Sequence, residues 1–142
     1  MTPRLLLDTH IVLWLESGDP HLRPSTRALI DACWHDGGVV QISAVTAWEI
    51  AALVDGRRID LDLPPDAWIE RFLARPGIEV LPLDHRTAAR TYGLEGLEHR
   101  DPADRMLIAT AIEQGCPLVT YDVRITDFAS RHGARCGFAA LA

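Results

Sequence analysis

Apolar residues along this chain fall into two alternating kinds of segment. Runs that are apolar at nearly every position read as strands buried on both faces: "RLLLD" at 4–8, "VVQIS" at 39–43, "IEVLPL" at 78–83 and "PLVTYD" at 117–122, with "ARCGFA" at 134–139 as a fifth. Between them, apolar residues recurring every three or four positions predict helices near 9–16, 24–34, 44–54, 65–74, 85–93 and 102–114, with a short one near 124–131. Pro24 opens one of these, and Gly115 with Pro117 closes another. The alternation predicts a three-layer α/β/α architecture around a mainly parallel sheet of about five strands. A single domain over residues 1–142 is expected, with "GRRIDLDLPPD" at 56–66 as its longest irregular stretch and a candidate mobile loop.

Composition changes this picture little. The 142 residues can enclose a substantial core, and 48% hydrophobic with 24% charged residues is ordinary for a globular protein. The formal charge of −6 argues against non-specific nucleic-acid binding, unless the acids are gathered in one place under divalent cations. Every one of the 14 basic residues is arginine, which excludes any mechanism that needs a lysine. Cys33, Cys116 and Cys136 are odd in number and form no C-x-x-C pair, so neither a disulfide framework nor a zinc knuckle is expected, and a reducing cytoplasm fits. The 6 histidines include no i,i+4 pair and are expected at structural or surface positions. Asp8 and His10 break the N-terminal apolar run, so it does not read as a signal peptide. No stretch reaches the roughly 18 apolar residues of a membrane span.

The carboxylates are less ordinary. In open parallel sheets ligands bind beyond the carboxyl ends of the strands. Asp8 ends the first strand run and Asp122 the fourth. Glu49 is the only charged residue of "AVTAWEIAALV" at 44–54, on a face shared with Val45 and Leu53. In "HRDPADRMLIAT" at 99–110, Asp101 as N-cap places Pro102 at N1 and Asp104 at N3, on the stripe of Leu107, Ile108 and Ala111.

Each acid has a purely structural explanation. Asp8 suits a helix cap, Asp122 a turn, and Glu49 a capping box with Thr46, although Ser43 is the better N-cap there. Four such acids together call for another account. Removing a carboxylate from water costs several kcal/mol, against a net stability of about 5–15 kcal/mol. Mutual repulsion would keep some of them protonated near neutral pH. Hard oxygen-seeking ions such as Mg²⁺ or Mn²⁺ relieve that strain, so a metal site is expected.

Asp8 in "LLLDTH", Glu49 in "SAVTAWEIA", Asp104 in "DPADRMLIATA" and Asp122 in "LVTYD" resemble, in order and context, the acidic quartet of PIN-domain ribonucleases, in particular the VapC-type toxins of type II toxin–antitoxin pairs. The resemblance runs from about Arg4 to Gly137, and its most specific piece is "HRDPADRMLIATA" followed by "GCPLVTYD". It implies that Asp8, Glu49, Asp104 and Asp122 are the catalytic, metal-binding acids. Asp101 becomes an auxiliary acid, and Thr9, Ser43 and Thr120 become hydroxyls that orient acids or bound water. The implied activity is a Mg²⁺- or Mn²⁺-dependent endoribonuclease that cuts with an activated water and leaves a 5′-phosphate. A structured, translation-related RNA (tRNA or rRNA), a homodimer and a cognate VapB-like antitoxin are implied as partners. Arg57, Arg58, Arg100, Arg105 and Arg124, in or beside strand–helix loops, are candidate contacts to RNA backbone. One departure is Ile125, which stands where the family often has an aromatic residue three positions after the last acid.

Two other readings compete. A non-catalytic PIN-like module that only binds protein would be marked by an incomplete quartet, and all four acids are present. An aspartate phosphotransfer domain of the phosphatase kind needs a second Asp two residues beyond the first, where His10 stands, and a lysine that this chain lacks.

Overall fold

The computed structural model describes residues 2–142. In chain order the elements are β1 (Arg4–Leu7), α1 (Thr9–Ser17), α2 (Pro24–His35), β2 (Val39–Ser43), α3 (Ala44–Asp55), α4 (Pro65–Leu73), β3 (Ile78–Leu81), α5 (His85–Arg90), α6 (Pro102–Gln114), β4 (Leu118–Val119), α7 (Val123–Cys136) and β5 (Ala140–Leu141). The five strands form one sheet in the order β3-β2-β1-β4-β5, and every pairing is parallel. From β1 the chain steps outward through β2 to β3, then returns to add β4 and β5 on the opposite side. The direction of winding therefore reverses between β1 and β4, and the crevice beyond their carboxyl ends is where such sheets bind ligands.

The period-two geometry of a strand sends neighbouring side chains to opposite faces. Leu5 and Leu7 join Ile11, Ile30, Ile50 and Phe72 in one core, under α1 to α4. Leu6, between them, joins Leu107, Ile108, Leu118, Ile125 and Phe128 in a second core, under α6 and α7. A strand buried on both faces is thus why "LLL" shows no alternation. Ile125 is fully buried in the second core, so the departure from an aromatic at that position is a matter of packing.

Three elements differ from expectation. The fifth strand is not at 134–139: α7 continues to Cys136, Gly137 ends it in the left-handed conformation (φ 75°), and the strand follows at Ala140–Leu141. Helix α5 stops at Arg90, so the longest irregular stretch among the described residues is 91–101 rather than 56–66. The expected mobile loop is tied down. Asp62 accepts two hydrogen bonds from the Arg71 guanidinium (2.7 and 2.8 Å), and Ile59 and Leu61 pack on the first core. Among the described residues, no helix is long and apolar enough to cross a membrane.

Candidate active site

Helix starts deliver most of the acids. Asp8 leaves β1 and caps α1, its Oδ1 accepting the Thr9 N–H at 2.7 Å. Asp122 caps α7, accepting the Arg124 N–H at 2.9 Å, and Asp101 caps α6, accepting the Asp104 N–H at 3.1 Å. Asp104 follows in the first turn of α6. These helix N-termini carry partial positive charge, which favours carboxylates there. Glu49 comes instead from the middle of α3, where it accepts a hydrogen bond from the Thr9 hydroxyl.

All four acids line one cavity of about 200 Å³, walled also by Thr9, His10, Leu13 and Leu53. Thr120, at the end of β4, ties two of them together: its hydroxyl donates to Asp8 Oδ2 (2.6 Å) and accepts the Asp122 N–H (3.1 Å). Beside the same Asp8 oxygen, the Tyr121 N–H donates to His10 Nε2 at 3.1 Å. That bond requires the lone pair on Nε2, so the ring proton sits on Nδ1, 3.6 Å from Asp8 Oδ2.

Electrostatics separate the acids. Burial pushes the Glu49 carboxyl above the usual range; the Thr9 hydrogen bond works against this, and Asp8, Asp104 and Asp101 add to it. Burial likewise raises Asp104, to about 6, with Asp8 and Asp101 reinforcing the shift and the His99 hydrogen bond opposing it. Asp122 goes the other way. Burial acts to raise it, but the hydrogen bonds and charge of Arg124 outweigh that and hold it low. The cluster is therefore short of positive charge at Glu49 and Asp104. Oxygen atoms of Glu49, Asp101 and Asp104 lie within 4.8 Å of one another, as do a His99 ring nitrogen and oxygens of Asp104 and Asp122. An oxygen-rich donor set with unrelieved negative charge fits a hard divalent cation.

The expected site residues divide accordingly. Asp8, Glu49, Asp104 and Asp122 share the cavity, with Asp101 beside them and Thr9 and Thr120 bonded to acids. Ser43 does not reach the acids: it is buried and caps α3 by accepting the Val45 N–H at 3.0 Å. Arg57 and Arg58 are exposed beyond the end of α3, and neither lines the cavity. Arg124 is exposed but is ion-paired to Asp122 (3.2 Å), and exposed Arg100 borders the neighbouring cavity.

Arg105 is a correction. It is 3% exposed and donates to the carbonyls of Thr91 (2.9 Å) and Leu97 (2.8 Å), so it clasps the 91–101 segment and presents nothing to RNA. His99 is the residue that sequence reasoning missed. It is buried, hydrogen-bonds Asp104 through Nε2, and lies 3.9 Å from Asp122 Oδ2. Its place two residues before Asp101, in the most specific stretch of the chain, was the available signal.

A three-layer fold with a parallel five-stranded sheet and an acid-lined crevice at its winding reversal defines a class of α/β domain whose candidate site is built from carboxylates. The PIN domain profile matches residues 5–130, and the chain belongs to the PIN domain family. It is 29% identical over 121 residues to Ribonuclease VapC22 of Mycobacterium tuberculosis (strain ATCC 25618 / H37Rv), a match covering 85% of this chain and 88% of that protein. The fold is shared with the crystal structure of VapBC2 from Rickettsia felis bound to a DNA fragment from their promoter (TM-score 0.67, 14% identity, 97% of each chain). It is shared as well with DNA-bound VapBC from Salmonella typhimurium (TM-score 0.61, 21% identity, 98% of this chain and 97% of that one).

Proposed function

We propose that this chain is a single-domain, divalent-metal-dependent endoribonuclease of the VapC kind, the toxin of a toxin–antitoxin pair, acting in the cytoplasm on a structured translation-related RNA. The observation that carries the reading is the meeting of Asp8, Glu49, Asp104 and Asp122, from four separate elements, in one cavity. Asp8, Glu49, Asp104 and Asp122 would hold Mg²⁺, or Mn²⁺ in its place. A dication bound there supplies Lewis acidity at the phosphate and lowers the pKa of an attacking water. The protein's own part is orientation. Thr120 holds Asp8, Thr9 holds Glu49, and Arg124 keeps Asp122 ionised. Substrate approach is supported by a second cavity of about 560 Å³ that includes His99 and Asp101 and is edged by Arg100, Arg124 and Arg131.

Two further surfaces support the partner assignments. A hollow of about 710 Å³ between α1 and the 56–64 segment has apolar walls (Trp14, Ile59, Leu61, Trp68) and an acidic rim (Asp19, Asp60), which suits an antitoxin segment carrying apolar and basic side chains. An apolar hollow of about 320 Å³ formed by Val45, Trp48, Leu83 and Met106, with Trp48 66% exposed, suits the face of a second copy in a homodimer.

The test is cleavage of total tRNA and rRNA by purified protein with Mg²⁺ or Mn²⁺. Wild type should cut and leave 5′-phosphate ends, and Asp8→Asn should lose at least about a hundredfold in rate while keeping its circular dichroism spectrum. Equal cutting by both proteins would end the assignment.

A further inference from the structure

Histidine 99 has an unusual place for a side chain with one hydrogen-bond partner. Its ring is 5% exposed and lies between two carboxylates that arrive from different elements, Asp104 in α6 and Asp122 ahead of α7. Nε2 is in hydrogen-bond contact with Asp104 Oδ2, and Asp122 Oδ2 is 3.9 Å away, too far for a second hydrogen bond. One nitrogen and two carboxylate oxygens therefore face a common point, all within 4.8 Å of one another. The backbone holds the ring there. Leu97, two residues earlier, is bonded through its carbonyl to the buried Arg105, and Asp101, two residues later, caps α6.

We propose that His99 Nε2 is a ligand to the metal, completing with Asp104 and Asp122 a mixed nitrogen–oxygen set that selects a first-row transition ion such as Mn²⁺ over Mg²⁺. The inference rests on the metal-dependent reading above but makes a claim that reading does not need, since four carboxylates alone would suit Mg²⁺. Imidazole is a poor ligand for Mg²⁺ and a good one along the first-row series, so one nitrogen in the set shifts selectivity. With Nε2 offering its lone pair, the ring proton resides on Nδ1. The bond that Nε2 makes to Asp104 is then exchanged for one to the ion, and both Asp104 oxygens are released to the site.

The experiment uses the full chain with Mn²⁺ as probe, and no RNA. Pulsed electron paramagnetic resonance of the Mn²⁺-loaded wild type should show coupling to a histidine nitrogen, changing to the ¹⁵N pattern when the protein is grown on ¹⁵N-histidine. Calorimetry should give His99→Gln a Mn²⁺ affinity weaker by about tenfold, with Mg²⁺ affinity changed by less than about threefold. A Mn²⁺-loaded wild type without nitrogen coupling, equal weakening of both ions in His99→Gln, or no dication binding at all would overturn the proposal. Because His10 also walls the acid cavity, the coupling should persist in His10→Gln, and its loss there would overturn the proposal; a poorly folding His99→Gln thus leaves the test intact. Cleavage of RNA without nitrogen coupling would sink this inference and leave the nuclease reading standing; nitrogen coupling without cleavage would do the reverse.

Discussion

Thr120 and Asp8 meet across the boundary between β4 and β1, the threonine hydroxyl donating to the Asp8 carboxylate at 2.6 Å. The same hydroxyl accepts the Asp122 N–H, so one buried side chain sets the spacing of two acids that lie 114 positions apart in sequence. Thr120→Val keeps the shape and removes both bonds. A hydrogen bond to a charged group contributes about 1.5–3 kcal/mol, so urea unfolding should show a loss of that order. Mn²⁺ affinity should fall as well, because Asp8 loses its anchor. Unchanged affinity would mean that Asp8 is positioned by the α1 cap alone.

The raised Asp104 predicts how stability depends on pH. Its carboxyl titrates at about 6 in the folded protein against an ordinary 3.8, chiefly because it is buried. The folded state thus holds this proton more tightly than the unfolded chain. For ion-free protein, stability should fall as pH rises from about 4 to 6, by about 2–3 kcal/mol from this group, and then level off. Denaturant unfolding in EDTA at pH 4.5 and 7.5 checks the sign, and Asp104→Asn should flatten the slope.

Cations and protons compete for the same oxygens, so Mn²⁺ should bind more weakly below about pH 6. At pH 7.5, saturating Mn²⁺ should raise the melting temperature of wild type more than that of Asp104→Ala, since a ligand stabilises only the state that binds it. Equal shifts would show that Asp104 does not hold the ion.

Arg105→Ala should be strongly destabilising although it removes an arginine. It leaves the carbonyls of Thr91 and Leu97 without their donor, at about 1–3 kcal/mol for each group stranded in the interior. Lysine, with a point charge in place of a planar fork, should recover only part of the loss. Hydrogen exchange over residues 91–100 should accelerate in both variants, and the His99 ring should lose its fixed position.

Gly133 is the place where α7 and the returning chain come closest. A Cβ there would sit 2.3 Å from the Phe138 carbonyl oxygen, and the Phe138 N–H bonds back to the Gly133 carbonyl at 2.9 Å. Gly133→Ala should cost about 1–3 kcal/mol by overpacking and detach β5. The readout is loss of amide protection at Leu118 and Thr120, which donate to Ala139 and Leu141.

Much of the architecture is local information. Runs such as "LLL" and "VVQIS" are apolar on both faces, and Ser43, Asp101 and Gly115 punctuate helices through contacts within a few residues. Four strands, the starts of six helices and the placement of Asp8, Glu49, Asp104 and Asp122 at strand ends or on an apolar helix could be read from such patterns. The fifth strand could not, because the apolar pattern at 134–139 belongs to the end of α7 and its Gly137 stop; β5 exists through its pairing with β4. Arg105, expected as an RNA contact, and His99, not expected beside the acids, escape such patterns for a related reason. An arginine or histidine reads as a surface residue until distant groups compensate its burial, and the carbonyls of Thr91 and Leu97 and the carboxylate of Asp122 reach them only when the chain is folded. Sequence by itself thus determined which segments form helix and strand and which acids stand in apolar company, since both follow from near-neighbour chemistry. The tertiary structure alone decided that those acids share one cavity, and that a histidine sits among them, because parallel pairing of β1 with β4 brings their carboxyl ends together.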